Sequence, residues 1–314
     1  MPRNFSIVAA AFTPFTRHGA LDVGRIEAQA AAMIRDGVDG AFVCGTTGEG
    51  ASLTSAERRQ VAEAWVAHAP RSFRVIVHVG HAATAEAAAL AAHAQEIGAH
   101  AIAAVPPYFL KPRTAAEVAA CLAPIAAAAP DLPFFHYHIP AMTGIAVAAA
   151  EVVREAMSRI PNFAGIKFTD ADLGDLGRSL DALGESHEVF FGRDDMLLPA
   201  MALGVRAAVG MSYNYTGPTV SALCEAFDAG DMREARRQQR FLRDLLAACA
   251  PHGLVSGLKA LAPVLGVDCG PCRPPLTTLA ESDARGLAAS LDLPEALRAA
   301  RARASDTSSR GQPA

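Results

Sequence analysis

Eight short runs of apolar and β-favouring residues recur along the first two thirds of the chain. They are Ile7 to Phe12, Gly40 to Cys44, Arg74 to Val79, His100 to Val105, Pro133 to Ile139, Phe163 to Phe168, Glu188 to Phe191 and Ala207 to Met211. Between them lie alanine-rich segments with helical periodicity, among them 26–35, 56–68, 85–97, 115–128 and 147–158. The second of these opens with Thr54-Ser-Ala-Glu57, a capping box for its first amides. Eight strands in alternation with helices are the number that closes a ring, and no Gly-x-Gly-x-x-Gly follows the first strand to favour an open nucleotide-binding sheet. The predicted fold is therefore an α/β (β/α)8 TIM barrel. Beyond residue 217 the strand pattern stops, and helices near 218–229, 231–249, 254–265 and 281–303 predict a C-terminal helical extension. The expected organisation is a barrel over 1–217, a helical appendage over 218–304 and a polar, disordered tail over 305–314.

Composition narrows the function. At 314 residues, 51% hydrophobic and 19% charged, the chain can bury a substantial core. A formal charge of -4 gives no basic field for nucleic acid, and the densest basic cluster, Arg233, Arg236, Arg237 and Arg240, reads as the wet face of a helix. The apolar run after Arg3 is thin for a leader and reads as the first strand; no membrane span is expected. Six scattered cysteines without a framework suit a reducing cytoplasm. Cys269-Gly-Pro-Cys272 has the thioredoxin spacing but lacks the strand-then-helix context that makes such a thiolate reactive, so no redox role is expected of it.

The chemistry points to one lysine. Of 28 basic residues only Lys111, Lys167 and Lys259 are lysines, and Lys167 sits inside the apolar strand Phe163-Ala-Gly-Ile-Lys-Phe-Thr-Asp170. A lysine at a strand end can simply reach water with its head. A desolvated lysine, unlike an arginine, sheds its proton and becomes an amine able to form a Schiff base with a ketone. In a barrel of this kind the carboxyl ends of the strands carry the site. There the chain places Gly45-Thr46-Thr47-Gly48-Glu49, Tyr137-His-Ile-Pro140, Lys167 with Thr169, Gly192-Arg-Asp194-Asp195 and Gly210-Met211-Ser-Tyr-Asn214. The Gly-Thr-Thr-Gly turn offers hydroxyls and amides suited to a carboxylate. Tyr137 shares a face with Phe135, and a phenol there is either a proton relay or a core tyrosine. Lys167 and Thr169 share the other strand's face, with Gly165 below them leaving room for a ligand.

Taken together, these motifs resemble the pyruvate-dependent class I aldolase and lyase family that includes N-acetylneuraminate lyase and dihydrodipicolinate synthase. The resemblance covers residues 5 to 300 and rests on the Gly-Thr-Thr-Gly-Glu turn, Tyr137-x-Ile-Pro-x-x-Thr-Gly144 and Gly-Ile-Lys167 in the family's order. It is greatest to the N-acetylneuraminate lyase branch, through Ala41 to Val66, Phe109-Leu-Lys-Pro112, Lys167-Phe-Thr-Asp and Ser212-Tyr-Asn-Tyr215. It implies that Lys167 forms the Schiff base, that Tyr137 shuttles the proton, and that Thr46 and Thr47 hold the substrate carboxylate. It also implies that Thr169, Gly192, Asp194 and Asp195 meet the sugar portion. The implied substrate is a small 2-oxo acid, the implied assembly a homotetramer, and no cofactor beyond the Schiff base on Lys167 is implied.

Two positions depart from the lyase pattern. Asp195 stands where a glutamate is usual, and Met211 replaces a sugar-binding hydroxyl, which puts the aldehyde partner in question. Met142 and Phe109 stand where the synthase branch has an arginine and a relay tyrosine, which favours a lyase. The expected reaction is cleavage of a 2-oxo-3-deoxy sugar acid, N-acetylneuraminate first, to pyruvate and an aldose. The alternatives are 4-hydroxy-tetrahydrodipicolinate synthase and a 2-keto-3-deoxy sugar acid aldolase. Two readings from other classes are weaker: a metal-dependent hydrolase built on His136-x-His138 with His78 and His81, and a silent relative that only binds a 2-oxo acid.

Overall fold

The structure is a computed structural model and describes residues 4–295 and 297–302. Eight parallel strands close a barrel in sequence order: β1 (Ser6–Ala10), β2 (Gly40–Val43), β3 (Arg74–His78), β4 (Ala101–Ala104), β5 (Phe134–His138), β6 (Phe163–Phe168), β7 (Glu188–Phe191) and β8 (Ala207–Gly210). Closure is made by β1 against β8, with Ile7 opposite Ala208 and Ala9 opposite Gly210. The helices are α1 (Ile26–Arg35), α2 (Ser55–His68), α3 (Thr84–Glu96), α4 (Ala115–Ala127), α5 (Pro140–Thr143), α6 (Ala149–Arg159), α7 (Leu173–Leu183), α8 (Leu197–Ala202), α9 (Tyr213–Asp228), α10 (Met232–Cys249), α11 (Leu254–Leu265) and α12 (Glu281–Ala289).

The apolar set divides by the two-residue strand period. Inward positions such as Val8, Phe42, Ile76, Ala103, Phe135 and Val209 fill the barrel, while outward positions such as Ile7, Val75, Ile102 and Ile166 pack under the helices. Each large side chain so buried is worth about 1.5–3 kcal/mol. Helix α2 starts where its capping box predicts: the Glu57 amide donates to Thr54 Oγ1 at 3.2 Å, and the Thr54 amide to Glu57 Oε2 at 2.9 Å.

All eight expected strands form, with ends shifted by no more than two residues. Three expectations are corrected. The helix placed from 218 begins at Tyr213, because the Ser212 carbonyl already accepts from the Tyr215 and Thr216 amides; this is the eighth barrel helix, and a boundary at 217 would cut it. The helix placed over 281–303 stops at Ala289 and helix resumes only near 295, consistent with Pro294 keeping its neighbour out of helical geometry. Gly165 makes room not for a ligand but for its neighbouring strand: at φ 145° beside a register shift in β5–β6, a Cβ there would strike the Glu188 carbonyl. The tail expected to be disordered, 305–314, lies outside the described residues.

Candidate active site

At the carboxyl ends of the strands lies a cavity of about 610 Å³. Thr46, Thr47, Tyr137, Lys167, Thr169, Gly192, Asp194, Asp195 and Met211 all line it, so the fold brings every site residue read from the sequence to one place. Lys167 is 4% exposed. Its ammonium stands 3.6 Å from the centroid of the Tyr137 ring and 4.5 Å from that of Phe42. Burial lowers its pKa from the ordinary 10.5, opposed by Tyr137 and then by the charge of Asp194. Tyr137 projects from β5 into the barrel directly opposite Lys167 in the ladder, and its hydroxyl lies 3.3 Å from Thr46 Oγ1. Amine, phenol and threonine hydroxyl therefore form one contiguous group.

The turn that carries Thr46 and Thr47 is held under strain. Cys44 (φ 57°) and Glu49 (φ 55°) flank it, both in the left-handed region that side chains with a Cβ avoid. Each end is pinned from a distant element. His78 Nδ1 lies 3.0 Å from the Cys44 carbonyl, and the buried Arg58 of α2 donates to the carbonyls of His78 and Gly80. The Glu49 carboxylate is fully buried; Oε1 accepts from Lys259 of α11 at 2.7 Å and Oε2 from the Arg273 amide at 2.7 Å. Lys259 also donates to the Thr13 carbonyl at 2.8 Å, and Thr13 Oγ1 donates to the Gly48 carbonyl at 2.6 Å. Sequence reading missed this clamp. Its one visible signal was that Lys259 is among only three lysines.

Around the outer part of the cavity the polar groups differ in availability. Thr169 Oγ1 is buried and has no partner among the described residues, and Gly192 is required beside it because a Cβ there would overlap that hydroxyl. Asp194 is 1% exposed; its carboxylate accepts from the Ser212 amide and hydroxyl at 2.8 and 2.6 Å and from the Met211 amide at 3.2 Å, tying the β7 loop to the β8 loop. Asp195 is held by Arg193, with Nε at 3.1 Å and Nη2 at 2.6 Å from its two oxygens. His136 and His138 point away from the cavity, toward α4 and α6, and their ring centroids are 6.0 Å apart. Among the described residues no three histidine, cysteine, aspartate or glutamate side chains form a group that could hold a metal ion. Cys269 and Cys272 are both free thiols, and burial pushes Cys269 up to about 12, far from a reactive thiolate.

A (β/α)8 barrel whose strand ends converge on a buried, pKa-depressed lysine beside a tyrosine is the arrangement of a Schiff-base-forming lyase. The sequence profile of the Dihydrodipicolinate synthetase family matches residues 4–293. The N-acetylneuraminate lyase of Homo sapiens is 41% identical over 275 residues, 86% of this chain and 86% of that protein. Among solved structures, the N-acetylneuraminate lyase (sialic acid aldolase) of Aliivibrio salmonicida matches with a TM-score of 0.88 at 33% identity, covering 96% of this chain and 98% of its own. The dihydrodipicolinate synthase of Cyanidioschyzon merolae with lysine bound matches with a TM-score of 0.84 at 31% identity, covering 95% and 99%. The chain belongs to the dihydrodipicolinate synthetase family and is a carbon–carbon lyase of the class I aldolase type.

Proposed function

We propose that the protein cleaves N-acetylneuraminate to pyruvate and N-acetylmannosamine through a Schiff base on Lys167. The observation that carries the reading is the placement of the Lys167 amine 3.6 Å from the Tyr137 ring, with Thr46 within 3.3 Å of the phenol. The neutral amine adds to the C2 ketone and water leaves, giving a protonated imine. Tyr137 relays the proton of the C4 hydroxyl, passing its own phenolic proton to water or the substrate carboxylate as it accepts; the C3–C4 bond breaks, and its electron pair moves toward the imine nitrogen to leave an enamine on Lys167. Protonation at C3 and hydrolysis release pyruvate and restore the amine. Thr46 and Thr47 hold the substrate carboxylate, and Thr169, Gly192, Asp194 and Asp195 surround the aldose half. The lysine itself supplies the electron sink, so the reading asks for no other cofactor. We place the reaction in a reducing cytoplasm, where six free thiols persist, and in a homotetramer, for which exposed Phe109, Leu110 and Met142 supply apolar contact area.

Borohydride reduction in the presence of pyruvate, followed by peptide mass spectrometry, tests the mechanism. The expected result is a pyruvate-derived adduct on Lys167, with the same adduct and free N-acetylmannosamine when N-acetylneuraminate is supplied. An unlabelled Lys167 under both conditions removes the Schiff-base mechanism. Labelling by pyruvate alone keeps the chemistry and moves the substrate to another 2-oxo-3-deoxy sugar acid.

A further inference from the structure

The strand ends contribute Thr46, Thr47, Tyr137, Lys167 and Thr169 to the cavity lining, whereas the rest of the lining is largely apolar, with Met142, Met211, Leu246, Leu254 and Leu276, and carries the cations Arg193 and Arg243. Two carboxylates, Asp194 and Asp195, line the same cavity. Asp194 is consumed by the Ser212 and Met211 donors and is buried within the protein. Asp195 is left as the one carboxylate for substrate hydroxyls, and both of its oxygens face the Arg193 fork.

That pairing changes what Asp195 can offer. A free carboxylate accepts charge-assisted hydrogen bonds from hydroxyls, roughly twice as strong as neutral ones. A carboxylate in a two-point guanidinium pair has spent its best-placed lone pairs and had its charge neutralised. The segment is also fixed from below: Gln239 of α10 donates to the Asp194 carbonyl at 2.9 Å and accepts from the Leu198 amide at 2.7 Å, so Asp195 has no slack to turn toward a ligand by moving its backbone. Met211 adds a thioether, which is no hydrogen-bond donor, to the same lining.

We propose that Arg193 is a specificity-determining residue. By holding Asp195, it lowers the value of a long polyhydroxyl tail and lets the enzyme use short-chain 2-oxo-3-deoxy sugar acids on nearly equal terms with nine-carbon ones. The inference rests on the Schiff-base lyase reading and concerns only the half of the substrate that leaves as the aldehyde.

The test compares pyruvate release from N-acetylneuraminate and from six-carbon 2-oxo-3-deoxygluconate by the full-length protein and by R193A, R193K and M211S. In the parent, the two kcat/KM values fall within about tenfold of each other. Arg193→Ala frees the carboxylate and shifts the ratio about tenfold toward N-acetylneuraminate, chiefly through a lower KM for that substrate. Arg193→Lys, which keeps the charge but loses the fork, shifts it by less, and Met211→Ser shifts it in the same direction as the alanine variant. A ratio that Arg193→Ala leaves unchanged, or a parent that prefers N-acetylneuraminate by a thousandfold, overturns the proposal. Loss of the pyruvate adduct on Lys167 in the parent is a separate outcome, which removes the lyase reading and this proposal with it.

Discussion

At the scale of single residues, the site is governed by what burial does to a charge. Lys167 is enclosed by Phe42 and Tyr137, and its pKa falls below 10.5 mainly by desolvation. The unfolded chain therefore keeps this proton at pH values where the folded chain has released it. By linkage, the resulting stability penalty is complete below the folded pKa and disappears as pH rises to 10.5. Lys167→Met is expected to abolish turnover and borohydride labelling while raising the melting temperature at neutral pH; a variant that is inactive but less stable would show that the ammonium is a net structural asset. His78 and His136 carry the opposite experiment, acid instead of base. Burial pushes both down to about 3 from 6.5, so on acidification the unfolded chain binds protons first. Stability is expected to fall from about pH 6.5 toward pH 3, and His136→Phe to flatten that fall in denaturant titrations run across this range.

At the scale of elements, α11 is the unexpected contributor. Its first turn, with Leu254 and Val255, lines the cavity, and one turn further on Lys259 clamps the strained Glu49 end of the turn that carries Thr46 and Thr47. Removing one partner leaves an uncompensated buried charge, at a cost of about 3–5 kcal/mol, whereas replacing both with apolar residues costs far less. Glu49→Leu and Lys259→Met are each expected to destabilise strongly, and the double variant to recover stability while its KM for pyruvate-derived substrates stays raised, because the turn is no longer held. Chemical denaturation with steady-state kinetics on the three variants checks both halves. Beyond the rarity of Lys259, this clamp was not legible in the sequence, since Glu49 and Lys259 are 210 positions apart and nothing local marks two charges that meet. The barrel was legible, because strands buried on both faces leave unbroken apolar runs, and Lys167 was legible because it interrupts one. The start of α9 was not: Ser212-Tyr-Asn-Tyr215 reads as a polar loop, and Pro218 looks like a first-turn residue although it lies inside the helix. Arg193 and Asp195 were visible as neighbours, but only folding shows that they pair with each other.

At the scale of the whole molecule, the surface near the cavity carries large apolar side chains exposed to solvent. Phe109 and Leu110 are 82% and 83% exposed, and Met142, 65% exposed, reaches from the same region into the cavity lining. The two loops are neighbours, since the Lys111 ammonium packs against Gly144, a residue in the left-handed region with no Cβ to obstruct it. Three large apolar side chains exposed to solvent are unfavourably hydrated in a monomer, and each contributes about 1.5–3 kcal/mol once covered. A second copy of the chain is the occupant that the proposed tetramer supplies. Light scattering of the purified protein is then expected to give a mass four times the 32.6 kDa of the chain, and the paired change Phe109→Ser with Leu110→Ser to give a smaller species. Because these side chains stand outside the core, circular dichroism of the variant should stay that of a folded barrel, so a loss of mass with retained helix content reports the interface and not unfolding. A variant that keeps the parent mass would place the subunit contacts on another face and leave this surface open to solvent.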